Sequence, residues 1–261
     1  MKTGLSLPRV KWLVACALVN AVAHVVAQPL DRLSGRVLTP QGEPVKDADV
    51  RVEALFGFAG ADYLGQRTFS TRTDGKGGWA LLAFKAGIWV FEASAPGSVP
   101  DTVALPFNLV TPAGKGLAGV EPVWHPILTP TPIPAGEMGQ MLADALEAAR
   151  AGRPERVASI LMRLADTADA GIQEAAGRIC LVMRDATIAR PFFRRALERD
   201  SASFRAARGM GSTALMQRDV DAAARSFSQA RDFTKDKAER SYLTAAIAEL
   251  NKAHNVMRAT Y

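Results

Sequence analysis

The 261-residue chain contains two cysteines and three histidines, and these small numbers exclude much chemistry. Cys16 lies in an N-terminal apolar leader. Once that leader is removed, Cys180 is the single thiol, no internal disulfide can form, and stability in an oxidising compartment must come from packing. His24 lies in the leader as well. Neither His125 nor His254 is followed by a Glu at ligand spacing, so the pattern of a His/Glu zinc site is missing. A Gly-x-Ser-x-Gly elbow, a phosphate loop and a Cys with a His partner are also missing, and the chain reads as a non-enzyme without metal or cofactor. Gly114-Lys-Gly116-Leu-Ala-Gly119 matches a dinucleotide fingerprint formally, but no strand precedes it and no helix follows to aim amides at a pyrophosphate. A dominant charge of one sign is absent too. The formal net charge is +6, and Lys2, Arg9 and Lys11 of the leader carry three of those charges. Residues 28–109 hold 8 basic and 9 acidic side chains, and residues 137–261 hold 20 and 16. An excess this small, spread along helices, describes a solvated amphipathic surface and no nucleic-acid face.

A long apolar run is likewise lacking. Trp12 to Ala27, interrupted by Asn20 and His24, is too short and too polar to span a membrane. With its basic start and compact Val25-Val26-Ala27 end it reads as a signal peptide over residues 1–27, with Ala21-Val22-Ala23 as an alternative cut. Leu13-Val14-Ala15-Cys16 looks like a lipobox, but Arg9 and Lys11 leave only four apolar residues before Cys16, which disfavours lipid anchoring there. The mature chain is therefore expected to be exported, to the periplasm or the extracellular space.

From Leu33 the hydrophobic pattern has period two. Leu33, Gly35 and Val37 alternate with polar residues, Val50-Arg51-Val52-Glu53-Ala54 alternates again, and Gln66 to Thr73 is a polar strand candidate. Asp74-Gly75-Lys76-Gly77-Gly78 signals a hairpin. Trp79 and Leu81, then Trp89, Phe91, Ala93 and Ala95, continue the strands, with a last one within Ser98 to Leu109. Short strands separated by turns predict a small antiparallel β-sandwich over residues 28–109. Leu33-Ser-Gly-Arg-Val, Pro44-Val45 before Ala48-Asp49-Val50-Arg51-Val52, Thr73-Asp74 with Gly78-Trp79, and Gly87-Ile88-Trp89 leading to Ala95-Pro96-Gly97 resemble the carboxypeptidase regulatory-like module. The resemblance implies a transthyretin-like sandwich without peptidase activity. Trp79, Trp89 and a Phe56–Gly65 insertion depart from the module's usual pattern. Asp47, Asp49 and Asp74 are acidic turn residues; they suit backbone capping better than a calcium site.

Residues 110–136 carry six prolines, which predicts an extended, semi-rigid spacer. Trp124-His125 within it is expected to dock on the protein itself or on a partner.

Residues 137–261 switch to the helical period. Ala189, Phe193, Ala196 and the upstream Gly177 recur as Ala223, Phe227, Ala230 and Gly211, a spacing of 34 residues. Ala-x-x-x-Phe-x-x-Ala places a ring between two sites of close helix approach. The pattern resembles the tetratricopeptide repeat. Ala158, Met162 and Ala165 are expected to form the same stripe in a degenerate first repeat, and Tyr242, Leu243, Ile247 and Leu250 a capping helix. The fold class is thus a multidomain β + α chain: a small antiparallel β-sandwich followed by an α-solenoid of about three helix pairs plus a capping helix.

The resemblance to tetratricopeptide repeats implies a concave groove lined by first helices. It assigns Glu147, Arg150, Glu174, Arg178, Arg205, Arg208 and Tyr242 to that groove as partner-binding residues. Arginine forks suit an acidic segment or a chain terminus, though ordinary solvated charges fit the same positions. The expected function is a non-enzymatic envelope scaffold for a protein or peptide partner. The alternative is carbohydrate binding by the sandwich through Trp79 or Trp89, with the repeats as an assembly element.

Overall fold

A computed structural model describes residues 32–56, 68–82, 87–107 and 125–259. Residues 1–27, read above as a signal peptide and containing Cys16, lie outside the described residues, as do most of the Phe56–Gly65 insertion, Gly114–Gly119 and Trp124. The architecture is β followed by α. Strands β1 (Arg32–Val37), β2 (Asp49–Phe56), β3 (Thr68–Arg72), β4 (Gly78–Leu82), β5 (Gly87–Ser94), β6 (Ser98–Val99), β7 (Asp101–Phe107), β8 (Ile127–Leu128) and β9 (Thr131–Pro132) form two sheets and a ribbon, ordered β4-β1-β8, β3-β2-β5-β7 and β6-β9.

Alternation explains the sandwich. Val50, Val52, Trp89, Phe91, Ala93, Val103 and Leu105 point to one face of the larger sheet and are fully or almost fully buried with Leu33 and Trp79. Gly35 pairs with Trp79 across β1 and β4, and a Cβ on Gly35 would lie 2.6 Å from Trp79 Cζ2 and 2.5 Å from the Pro126 carbonyl. The bare backbone therefore gives the indole its place. In the β3–β4 turn the Asp74 carboxylate accepts the Lys76 and Gly78 amides, each at 2.8 Å, and these two bonds hold its pKa below the ordinary value.

The Pro-rich segment corrects the spacer expectation in its second half. From His125 onward it is built into the fold: His125 bonds Ser34, β8 pairs parallel with β1, and β9 pairs with β6. Backbone groups between the prolines still complete ladders, because two-residue strands need few donors.

Helices α1 (Glu137–Arg150), α2 (Pro154–Leu164), α3 (Ala170–Val182), α4 (Ala186–Arg199), α5 (Phe204–Met216), α6 (Val220–Phe233) and α7 (Lys237–Ala259) make three pairs and a final single helix. The starts of α3, α4, α5 and α6 are capped by the side chains of Asp169, Asp185, Ser203 and Asp219, which accept the amides of Ile172, Ile188, Ala206 and Ala222. Helices α1, α3 and α5 end with a residue at positive φ, Gly152, Arg184 and Arg218, and with the paired bonds of a Schellman turn. Pro191 sits in the second turn of α4, where its missing N–H removes one helical bond.

The repeated small and large residues meet as their spacing implies. A Cβ on Gly177 would approach Phe193 to 2.8 Å, and one on Gly211 would approach Phe227 to 2.5 Å. The first pair corrects the expected register. Met162 is 75% exposed, while Val157, Leu161 and Leu164 form the buried stripe of α2. Leu161 takes the ring position of Phe193 at a spacing of 32, which is also the spacing from Gly152 to Arg184. Ala158 and Ala165, the small residues that suggested the other register, are only partly buried.

Candidate functional site

The concave side of the helical array is where the sequence placed a binding groove, and β7 lies in it. All seven residues of β7 are buried, because the sandwich core covers one face and α3, α5 and α7 cover the rest. The small outer-face residues Thr102 and Ala104 permit this close approach. The free edge of β7 is closed by a helix side chain: the Ala104 amide donates to Ser212 Oγ at 3.1 Å, and that hydroxyl donates to the Arg208 carbonyl.

Groove positions recur every 34 residues and fall into rows. Row one is Gly171, Arg205 and Glu239, in the first turns of α3, α5 and α7. Row two is Glu174, Arg208 and Tyr242. Row three is Arg178, Ser212 and Ala246. Rows two and three are buried, each residue 7% exposed or less, against the sandwich and the segment after His125.

The buried rows hold a polar network. Arg208 donates through Nη2 to Oδ1 of Asp101 in β7, through Nη1 to Tyr242 Oη at 3.1 Å and to the Ile127 carbonyl at 3.4 Å, and stacks over Phe204. The other Asp101 oxygen accepts the Thr129 amide at 2.6 Å. Arg178 pairs with Glu174 at 2.7 Å, donates to the Pro100 carbonyl at 3.2 Å and bonds Thr131 Oγ1. Burial pushes the Asp101 carboxyl up, yet Arg208, Arg178 and the Thr129 amide outweigh it and hold it below its ordinary value. Burial and the Glu239 charge push Tyr242 up to about 12 against the pull of Arg208. On the outer sheet face, Arg184 bridges Glu53 at 3.1 Å and Glu92 at 3.4 Å, so a helix turn is clamped to β2 and β5.

These placements correct the open-groove expectation for four residues. Glu174, Arg178, Arg208 and Tyr242 face the chain's own sandwich, and the carboxylate suited to an arginine fork is internal. Glu147 and Arg150 are exposed and line a separate cleft of about 560 Å³ between α1 and the turn after β5. Arg205 is half-buried and stays in the open part of the groove. The sequence carried a signal for the covered strand: Val103 to Phe107 is apolar without alternation, the mark of a strand buried on both faces.

What remains open is a cleft of about 480 Å³ where row one meets the turn after β1 (Leu38 to Gly42) and the segment after β8. Asp200, Asp236 and Glu239 line it, with Arg205 as the one lining cation among the described residues and Glu174 at its inner limit. Burial raises the Glu239 pKa, which its bond from Thr234 and the charge of Arg208 only partly counter. Asp47, Asp49 and Asp74 are engaged with Lys46, Arg72 and turn amides, and the described residues contain no cluster suited to a metal ion. Cys180 is buried, and burial with the Asp185 charge pushes its thiol up to about 12, so it is unreactive. Among the described residues, no helix is long and apolar enough to cross a membrane.

No family model and no curated protein matches the chain. Similar solved structures include the type III secretion chaperone SycD of Yersinia enterocolitica in complex with a peptide of the translocator YopD. That match has 16% identity and a TM-score of 0.39, over 48% of this chain and 98% of that one. A putative carbohydrate-binding protein of Pseudomonas aeruginosa matches at 14% identity and TM-score 0.26, over 39% and 88%. A mutant of catechol 1,2 dioxygenase from Acinetobacter radioresistens matches at 13% and 0.24, over 31% and 36%. At these scores the likenesses carry no functional argument.

Proposed function

We propose that the chain is a non-enzymatic binding protein of the cell envelope, exported by its leader, that takes a segment of another protein in the open row of its helical groove. In this reading it combines a carboxypeptidase regulatory-like module with tetratricopeptide-like repeats, and the sandwich and repeats act as one body. The observation that carries it is the division of the groove. Rows two and three are filled by the chain's own strand, while Gly171, Arg205 and Glu239 continue the same groove into a cleft of about 480 Å³. Arrays of this kind present the first helix of each pair to extended ligands. Carbohydrate binding finds no platform in the two rings that suggested it, because Trp79 is 4% and Trp89 0% exposed.

A displayed library of short peptides selected on the full chain tests the proposal. A Cβ on Gly171 would lie 3.2 Å from Asp169 Oδ1 and near no backbone of another element, so Gly171→Trp fills the cleft if the capping carboxylate gives by a few tenths of an ångström. Selected peptides should lose binding to Gly171→Trp while its melting temperature is unchanged. Peptides that bind both proteins equally would place the site elsewhere.

A further inference from the structure

We infer that the occupant of this cleft is a basic, extended segment of a partner protein, its lysine or arginine side chains held by Asp236 and Glu239. This rests on the reading of the cleft as a binding site and adds the chemistry of its ligand.

Two independent observations carry it. The first is continuity with an interface already formed. The cleft is the next row of the groove in which β7 lies extended, so a second extended segment entering from the β1 side meets the same helices at the same 34-residue spacing. The second is charge complementarity. The arginines that would have drawn an acidic ligand are spent internally: Arg208 on Asp101 and Tyr242, Arg178 on Glu174, Pro100 and Thr131. Among the described residues, three carboxylates, Asp200, Asp236 and Glu239, then face the cleft against Arg205 alone, and the flanking Lys235 and Lys237 line no part of it. The positive ends of α3, α5 and α7 oppose a cation, but their first free amides already bond the Asp169, Ser203 and Asp236 side chains, which blunts that field. The Glu239 carboxylate is partly desolvated, bonded by the Thr234 hydroxyl, and has no ion-pair partner among the described residues. An incoming ammonium or guanidinium supplies the missing partner.

The experiment measures binding of three labelled peptides of equal length to the full chain by fluorescence anisotropy: alternating Lys–Ala, alternating Glu–Ala and alternating Ser–Ala. The Lys–Ala peptide should bind at low ionic strength and weaken with added salt. Its affinity should fall about tenfold or more in Asp236→Asn/Glu239→Gln, and be unchanged in Glu198→Gln, a surface change on α4. Asn remains a good cap at position 236, and an unchanged melting temperature verifies the double variant. If that variant fails to fold, the single change Glu239→Gln replaces it. Lys–Ala binding that the cleft variants do not weaken overturns the inference, and so does absence of binding by all three peptides. Binding by Glu–Ala or Ser–Ala that Gly171→Trp abolishes also overturns it while leaving the cleft as the site. The display selection decides the binding reading separately.

Discussion

Arg208 and Asp101, 107 positions apart in sequence, form an ion pair that is 3% and 0% exposed at the side chains and joins the sandwich to the repeats. A pair this deep contributes little net stability over an apolar replacement, but removing one partner strands the other charge away from water.

Asp101→Ala should therefore destabilise the protein by about 3–5 kcal/mol, the cost typical of breaking a buried pair. The double replacement Asp101→Leu/Arg208→Met should recover most of that loss. Urea midpoints of the three proteins decide it; a double variant no better than the single one would mean that the bonds to Thr129, Ile127 and Tyr242 dominate.

The same network sets pH limits on stability. Asp101 has a folded pKa below its ordinary value, so its contribution is present above about pH 4, the unfolded value, and is lost as acid protonates the folded carboxylate. Glu239, whose folded pKa is raised, works in the opposite sense and loses stability as pH rises through the range where it ionises. At the alkaline end Cys180 and Tyr242 are both pushed up to about 12. Their neutral forms support the fold below their unfolded values, about 8.5 and 10, and that support disappears as pH climbs toward 12. Stability should decline from about pH 9 upward, and Tyr242→Phe should flatten the part of the decline above about pH 10. Denaturation midpoints across the pH range check this; an alkaline limb unaltered in the variant would assign the titration to other groups.

The sequence made some of this legible and hid the rest for physical reasons. Period-two alternation located the strands, and the 34-residue recurrence of Gly177 and Phe193 as Gly211 and Phe227 located the helix pairs, because both patterns reflect local packing. The first-repeat register failed because Ala158, Met162 and Ala165 imitate the small-large-small stripe, while the buried Val157, Leu161 and Leu164 do not contain an aromatic ring. The fate of Arg178 and Arg208 was hidden for a different reason. A groove arginine looks the same in sequence whether its carboxylate comes from a ligand or from Asp101. Only the unbroken apolar run of β7 hinted that a strand would fill the groove.

Gly211→Leu should destabilise the protein strongly. A Cβ there meets Phe227 at 2.5 Å, and the ring is fully buried with no space to retreat. Overpacking of this kind costs about 1–3 kcal/mol or more. Gly177→Leu should behave alike, since a Cβ there meets the fully buried Phe193 ring at 2.8 Å. Thermal melts of both variants test the register of the two central repeats together, and an unchanged melting temperature in either would contradict the packing at that repeat.

The hydrophobic core does not stop at the domain boundary read from the sequence. Trp89, Phe91 and Leu105 of the sandwich belong to one buried cluster with Leu215, Phe227, Tyr242 and Leu250 of the last helices, and Arg184 ties a helix turn to Glu53 and Glu92. Two halves joined by a flexible spacer would unfold separately, each at its own denaturant concentration. Halves sharing a core and a buried ion pair should unfold together. With Trp12 and Trp124 replaced by Phe, Trp79 and Trp89 report the sandwich by fluorescence, and circular dichroism at the helical band reports α1 to α7. Coincident midpoints in urea are expected, and Asp101→Ala should shift both curves by the same amount although the residue belongs to a strand. Separate transitions, or a shift confined to the tryptophan signal, would show that the junction contributes nothing to folding and that rows two and three are available to an outside ligand.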